Sequence, residues 1–200
     1  MRQIFNFLSD KNVITLILFS SIPANMAMIG FLEYFNPVYL DRMGISQSNI
    51  GRTFIIYGFF QIYIGPFISK YIDASENKKT YIIVGGIFGS MAFISFYIFE
   101  GLLAVIVAIL LLGFSQSFVF VSQATYLLKL KVTKEIGEGK GVAIFRSANR
   151  IGQTIGPILF GWLIVAMDIN RGVAFLGLFY LFITVLLFFL IRTDKKIAVT

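Results

Sequence analysis

Residues 141–162 read GVAIFRSANRIGQTIGPILFGW. The stretch is apolar enough to enter a bilayer, yet it carries Arg146 and Arg150 one helical turn apart. A charge at the centre of a membrane helix costs roughly 2.5–3.5 kcal/mol on insertion scales, so two of them call for a partner or a task. Ala148, Gly152 and Gly156 recur at four-residue steps, a spacing that lets a second backbone approach closely. The helix thus asks for two things at once: a neighbour for its small residues and a polar setting for its charges.

The rest of the chain has the composition to supply both. It is 58% hydrophobic and 14% charged, well outside the range of a soluble domain. Its 200 residues leave room for about six spans of ~20 residues each. Apolar segments are predicted at approximately 12–35, 48–70, 81–99, 102–128, 141–167 and 173–191, forming one six-helix transmembrane domain over 1–200. Asn36-Pro37 is expected to end the first span, because proline disfavours helix in the residue before it. Gly44 is available for positive φ, and Ser46 or Ser48 can cap the second helix. Residues 71–80 and 129–140 read as polar loops, with very short turns at Glu100-Gly101 and 168–172. The N-terminal apolar run lacks a small-residue cleavage pattern and reads as a retained helix.

Cysteine and histidine are both absent. That removes thiolate nucleophiles, haem ligation and histidine-based metal sites. No pair of carboxylates lies within the membrane sequence, and there is no nucleotide-binding loop. The chain is therefore expected to be neither an enzyme nor an ATP-driven pump, with no catalytic residue, cofactor or metal. The net charge of +7 does not require nucleic acid. Arg2, Lys11, Lys70, Lys78, Lys79, Lys129, Lys131, Lys134, Lys140, Arg192, Lys195 and Lys196 fall at the termini and in two alternate loops, against Arg42, Arg52 and Arg171 in the other turns. The bias predicts an integral protein of the plasma (cell inner) membrane with both termini cytoplasmic.

Polar residues inside the spans follow a three-helix period. The first span has Ser21, Asn25, Glu33 and Asn36; the second has Thr53, Tyr57 and Gln61; the third has only small hydroxyls. The fourth has Gln116 and Gln123; the fifth has Arg146, Asn149, Arg150 and Gln153; the sixth has no charged or amide side chain. At 100° per residue these groups form stripes. Stripes of amides avoid lipid, so they are expected to face a shared polar cavity or partner helices. Ala148, Gly152 and Gly156 are placed well round the fifth helix from Arg146, Asn149, Arg150 and Gln153, as a packing face. Spans three and six are expected to be lipid-facing supports.

Three stretches carry a family resemblance. Pro37-Val-Tyr39-Leu40, then Met43-Gly44-Ile45-Ser46 and Ile50-Gly51, resembles the passage from the first helix of a major facilitator superfamily half to the second. Gly65-Pro66-Phe67-Ile68-Ser69-Lys70, with Asp73 and Lys78-Lys79, is similar to the family's signature loop in degenerate form: Ser69 stands at the usual aspartate position and the basic cluster is displaced. Gly152-Gln-Thr-Ile-Gly156-Pro157-Ile-Leu-Phe-Gly161 resembles the glycine-proline motif on the fifth helix of a half. The resemblance implies two six-helix halves around a pathway, each half built from inverted three-helix repeats. It also implies that the first, second, fourth and fifth helices line or flank that pathway. The degenerate loop, and the lack of an arginine on the fourth span, look more like a C-terminal half.

Arg150 and Arg146 are the leading candidates for substrate contact. Counted from Lys140, they lie about 15 Å and about 9 Å deep, so Arg150 approaches the midplane while Arg146 can snorkel to the surface. A guanidinium suits a carboxylate or phosphate. Anion recognition, with Gln153, Asn149, Gln116, Gln123, Asn25, Gln61 and Tyr57 around it, stands beside a structural reading in which the arginines pair with other helices. Glu33 is a candidate for proton coupling, because desolvation favours a protonated carboxyl. The expected function is secondary active transport of a small solute by alternating access, with the chain pairing with a second six-helix half or a copy of itself. The competing reading is a non-transporting membrane sensor, anchor or assembly module.

Overall fold

In the computed structural model, residues 2–166 and 168–191 are described. Met167, the expected end of the fifth span, and the C-terminal Arg192, Lys195 and Lys196 lie outside them. All regular structure among the described residues is helical. A short amphipathic helix, Arg2–Ser9, precedes the first long helix, Lys11–Arg42. The second long helix covers 47–74, the third Lys78–Tyr97 and the fourth Gly101–Lys129. A loop helix, Lys131–Ile136, leads to the fifth, Glu138–Ala166, and the sixth is Ile169–Leu190. The first, third, fourth and sixth are long and apolar enough to cross a membrane. The second and fifth, which carry polar residues along their length, fall short of that measure by composition.

The first helix does not end at Asn36-Pro37, as the sequence suggests, but runs on to Arg42. The reason lies just upstream. Residues Met26–Phe35 form wide π-type turns, and the Asn36 N–H donates to the Phe31 carbonyl five residues back. A proline inside a helix lacks one N–H and collides with the carbonyl four residues earlier. Widening the preceding turns moves that carbonyl aside, so the helix passes through the proline. The device recurs: Pro23 follows π turns at Ile17–Ser21, and Pro66 follows those at Phe60–Ile64.

Other boundaries shift for local reasons. Residues 71–80 are mostly helix, not a solvated loop; only Ser75, Glu76 and Asn77 connect the second helix to the third. Lys78 is buried there, and its ammonium donates to the carbonyls of Ile72 and, at 3.1 Å, Asp73. The side chain thus supplies a donor to two of the carbonyls in the last turn of a helix. The 129–140 stretch, read as a loop, contains the Lys131–Ile136 helix. At 168–172 the turn shortens because the Asp168 carboxylate accepts from the Arg171 N–H at 2.9 Å, capping a helix that begins at Ile169. Gly44 and Gly101 adopt positive φ, 73° and 65°, at the two tight turns. Ser46 stands at the cap position of the second helix but makes no side-chain cap bond.

The long helices pack in a defined order. The fifth lies along the first, the second along the fourth, and the third between the fourth and the sixth. At one end Phe7, Tyr126, Leu130, Ile136 and Phe145 form an apolar cluster that anchors the N-terminal helix and the loop helix. Toward the other end Phe31, Phe35, Phe93, Phe96 and Phe160 form an aromatic core whose rings meet at 5.2–6.0 Å. The sixth helix exposes Phe175, Phe182, Phe188 and Phe189. The third, expected to face lipid, is instead half covered, because glycines let its neighbours close on it. A Cβ on Gly85 would meet the Ser115 carbonyl at 2.9 Å, and one on Gly86 would meet Thr184 Oγ1 at 2.7 Å. Large apolar side chains are exposed on the second helix (Ile55, Phe59, Ile62, Tyr63, Phe67) and on the fifth (Ile151, Ile155, Ile158, Trp162).

Candidate functional site

The small stripe of the fifth helix meets the first helix backbone to backbone. A Cβ on Gly152 would lie 2.5 Å from the Ile22 carbonyl oxygen, and one on Gly156 would lie 2.9 Å from that of Met26. Gly30 completes the contact from the other side. Only residues without side chains permit this approach.

The close contact brings the polar face of the fifth helix onto the first as well. Asn25 is buried; its amide nitrogen donates to the Ser21 carbonyl at 2.9 Å, and its Oδ1 accepts from Gln153 Nε2 at 3.0 Å. Gln153 Oε1 in turn accepts from Arg150 Nη1 at 3.1 Å. One turn earlier, Ser21 Oγ donates to Asn149 Oδ1. Arg150, Gln153, Asn25, Ser21 and Asn149 thus form one strip, in which a buried asparagine holds a half-buried glutamine and the glutamine holds an exposed guanidinium. This corrects the placement of the small and polar faces as well separated. At 100° per residue Asn149 lies only about 20° from Gly156, so the faces adjoin and share the first helix as their neighbour.

Gln116 and Gln123 are buried but turn elsewhere. Gln116 Nε2 donates to the Ala24 carbonyl at 3.0 Å, and Gln123 Nε2 to Ser20 Oγ at 2.7 Å. Ser20 and Ala24 lie about 100° round the first helix from Ser21 and Asn25. The fourth helix therefore grips one flank of the first, and the fifth helix grips another. The oxygens of both glutamine amides are buried without a hydrogen-bond partner, as is Gln61 Nε2 on the second helix. Unspent buried amide capacity of this kind is uncommon in folded proteins.

The remaining candidates are more peripheral. Arg146 is exposed, one turn from Arg150 toward Lys140. Tyr57 is half buried and within electrostatic reach of Glu33, which is exposed on the far part of the first helix. Asn36, counted on the polar stripe of the first helix, donates to Thr53 Oγ1 at 2.8 Å and ties the first helix to the second. Ser20, which receives Gln123, carries no signal in the sequence, since only the packing of the fourth helix marks its flank of the first.

Residues 13–199 match the Major Facilitator Superfamily. The chain is also similar to Multidrug resistance protein 2 of Bacillus subtilis (strain 168), 25% identical over 158 residues. That alignment covers 75% of this chain and 37% of the relative, so the chain spans little more than a third of the relative's length.

Proposed function

This chain belongs to the Major Facilitator Superfamily, and we propose that it moves a small solute across the plasma membrane by alternating access, as one six-helix half working with a second. The observation that carries the reading is Arg150: exposed on the fifth helix, yet held by Gln153 and, through it, by the buried Asn25. A guanidinium on a built support is suited to a carboxylate or phosphate on the solute. Arg146, Asn149, Gln116, Gln123, Gln61 and Tyr57 belong to the same proposal as surrounding polar groups. Glu33 is the proposed proton carrier.

Several observations support the half-transporter architecture. The first helix packs on the fifth as the second packs on the fourth, and the third packs on the sixth. An exchange of the first three long helices with the last three maps these pairs onto one another, as inverted repeats require. Six spans follow if the second and fifth helices cross the membrane with their polar strips covered. Their exposed apolar rows would meet the second half, whether a separate chain, another part of a longer one, or a copy of this chain. The proposed orientation puts both termini in the cytoplasm. It is supported by Lys11, Lys129, Lys131, Lys134 and Lys140 at the end where the N-terminal and loop helices meet.

The test is transport in proteoliposomes by the chain with its partner half. Small organic anions are screened beside the drug-like compounds that the relative's name suggests. Arg150→Ala is expected to lower uptake of the recognised anion at least tenfold, the cost of one charge-assisted contact. Full activity in that variant would reject Arg150 as the substrate contact. No transport of any solute by the assembled complex would favour a non-transporting membrane module.

A further inference from the structure

Away from the strip just described, the third and sixth helices line a surface cleft. They are in close contact where Gly177 meets Ile94: a Cβ on Gly177 would lie 2.6 Å from the Ile94 nitrogen. Beside that contact, toward the Asp168 turn, an opening holds about 420 Å³, within the size range of ligand sites. Its walls are Ile94, Ala174, Phe175 and Leu178, and its two lips are Tyr97 and Arg171. The residues on the sixth helix follow 171, 174, 175 and 178, one face of a helix running from the water boundary into the apolar layer.

We propose that this cleft binds one phospholipid, with an acyl chain between the apolar walls and the phosphate on the Arg171 guanidinium. Charge complementarity supports the choice of ligand. The cleft is apolar except at its mouth, where the cation of Arg171 stands in the first turn of the sixth helix. The neighbouring Asp168 carboxylate accepts from the backbone N–H of Arg171 and is committed to the helix cap. Among the described residues the Arg171 guanidinium makes no hydrogen bond or ion pair. Its planar donors match phosphate oxygens, and Tyr97, 80% exposed, is the amphipathic residue expected at that boundary. The proposal requires only that the chain is embedded in a membrane, and it stands apart from the transport reading.

Native mass spectrometry of the detergent-purified chain tests it, with dioleoyl phosphatidylglycerol and dioleoylglycerol as probes that share acyl chains and differ in the phosphate. The wild type should retain one phosphatidylglycerol in preference to dioleoylglycerol. Arg171→Gln, at an exposed position that leaves the Asp168 cap in place, should reduce that retention roughly tenfold. Arg171→Lys should give an intermediate value, and Leu178→Trp, which fills the cleft, should reduce retention of both probes. Equal retention of the two probes by the wild type would overturn the proposal. So would an Arg171→Gln variant that matches the wild type, or a Lys70→Gln control that loses as much phospholipid as Arg171→Gln.

Discussion

Gly30 of the first helix and Gly156 of the fifth stand so close that a Cβ on Gly30 would lie 2.7 Å from the carbonyl carbon of Gly156. This contact sets the distance at which every other group on the two helices meets. Gly30→Ala should therefore force the helices apart and destabilise the protein by about 1–3 kcal/mol, the range for overpacking a close contact. Thermal unfolding in detergent measures it. Gly58→Ala is the control, since a Cβ there meets nothing within 4 Å; helix propensity predicts a neutral or slightly stabilising change.

Asn25→Ala leaves Gln153 Nε2 without its acceptor in a half-buried site. The expected cost is about 1–3 kcal/mol in thermal stability, the range for an orphaned polar group. The Arg150 guanidinium also loses its support. Under the proposed function, anion affinity should fall in Asn25→Ala while Arg150 itself is unchanged, and this is read by binding titration. Asn25→Ser, which keeps a shorter polar group, should lie between the two.

At the opposite end of the first helix, the Tyr39 hydroxyl donates to Asn170 Oδ1 at 3.0 Å and accepts from the Gly101 N–H at 3.2 Å. One phenol thus joins the end of the first helix to the starts of the fourth and sixth. Arg42 adds a link to the Ile164 carbonyl, in the last turn of the fifth, at 3.3 Å. Tyr39→Phe should strand the Gly101 N–H and cost about 1–3 kcal/mol. Tyr97→Phe, at an exposed tyrosine, should change thermal stability by less than about 0.5 kcal/mol.

Lys78→Met removes the ammonium from the Ile72 and Asp73 carbonyls. The last turn of the second helix should then fray. Hydrogen exchange should accelerate at the Ser75 amide, which bonds the Ile72 carbonyl at 3.1 Å, and at its immediate neighbours. Amides in the middle of the fourth helix should keep their protection. Uniform acceleration across the chain would mean that the lysine holds the whole fold and not one helix end.

Much of the fold was legible in advance. The six long helices overlap the expected segments, except that the first runs seven residues past Phe35. Gly44 and the Glu100-Gly101 turn were readable because short connections need residues tolerant of unusual backbone angles. The misread places share a cause. Pro37 reads as a stop by local rules, which do not see the π turns that carry a helix through a proline. Lys78 was placed in solvent because a charged residue near a loop normally is; the carbonyls that accept its ammonium belong to the preceding helix and form a site only after the two helices fold back on each other.

The candidate site divides in the same way. The sequence by itself determined that the fifth helix has a small stripe and a polar group around Arg150, since a 3.6-residue repeat assigns every side chain an angle. It could not say which helix would meet either stripe, because an angle on one helix carries no information about its neighbour. Tertiary structure alone decided that the first helix receives both. It also decided that Asn25 and Gln153 extend the support to Arg150, and that Gln116 and Gln123 turn to the other flank. The physical reason is the close backbone contact at Gly30, Gly152 and Gly156: once the helices touch there, hydrogen-bond geometry leaves the amides few other partners.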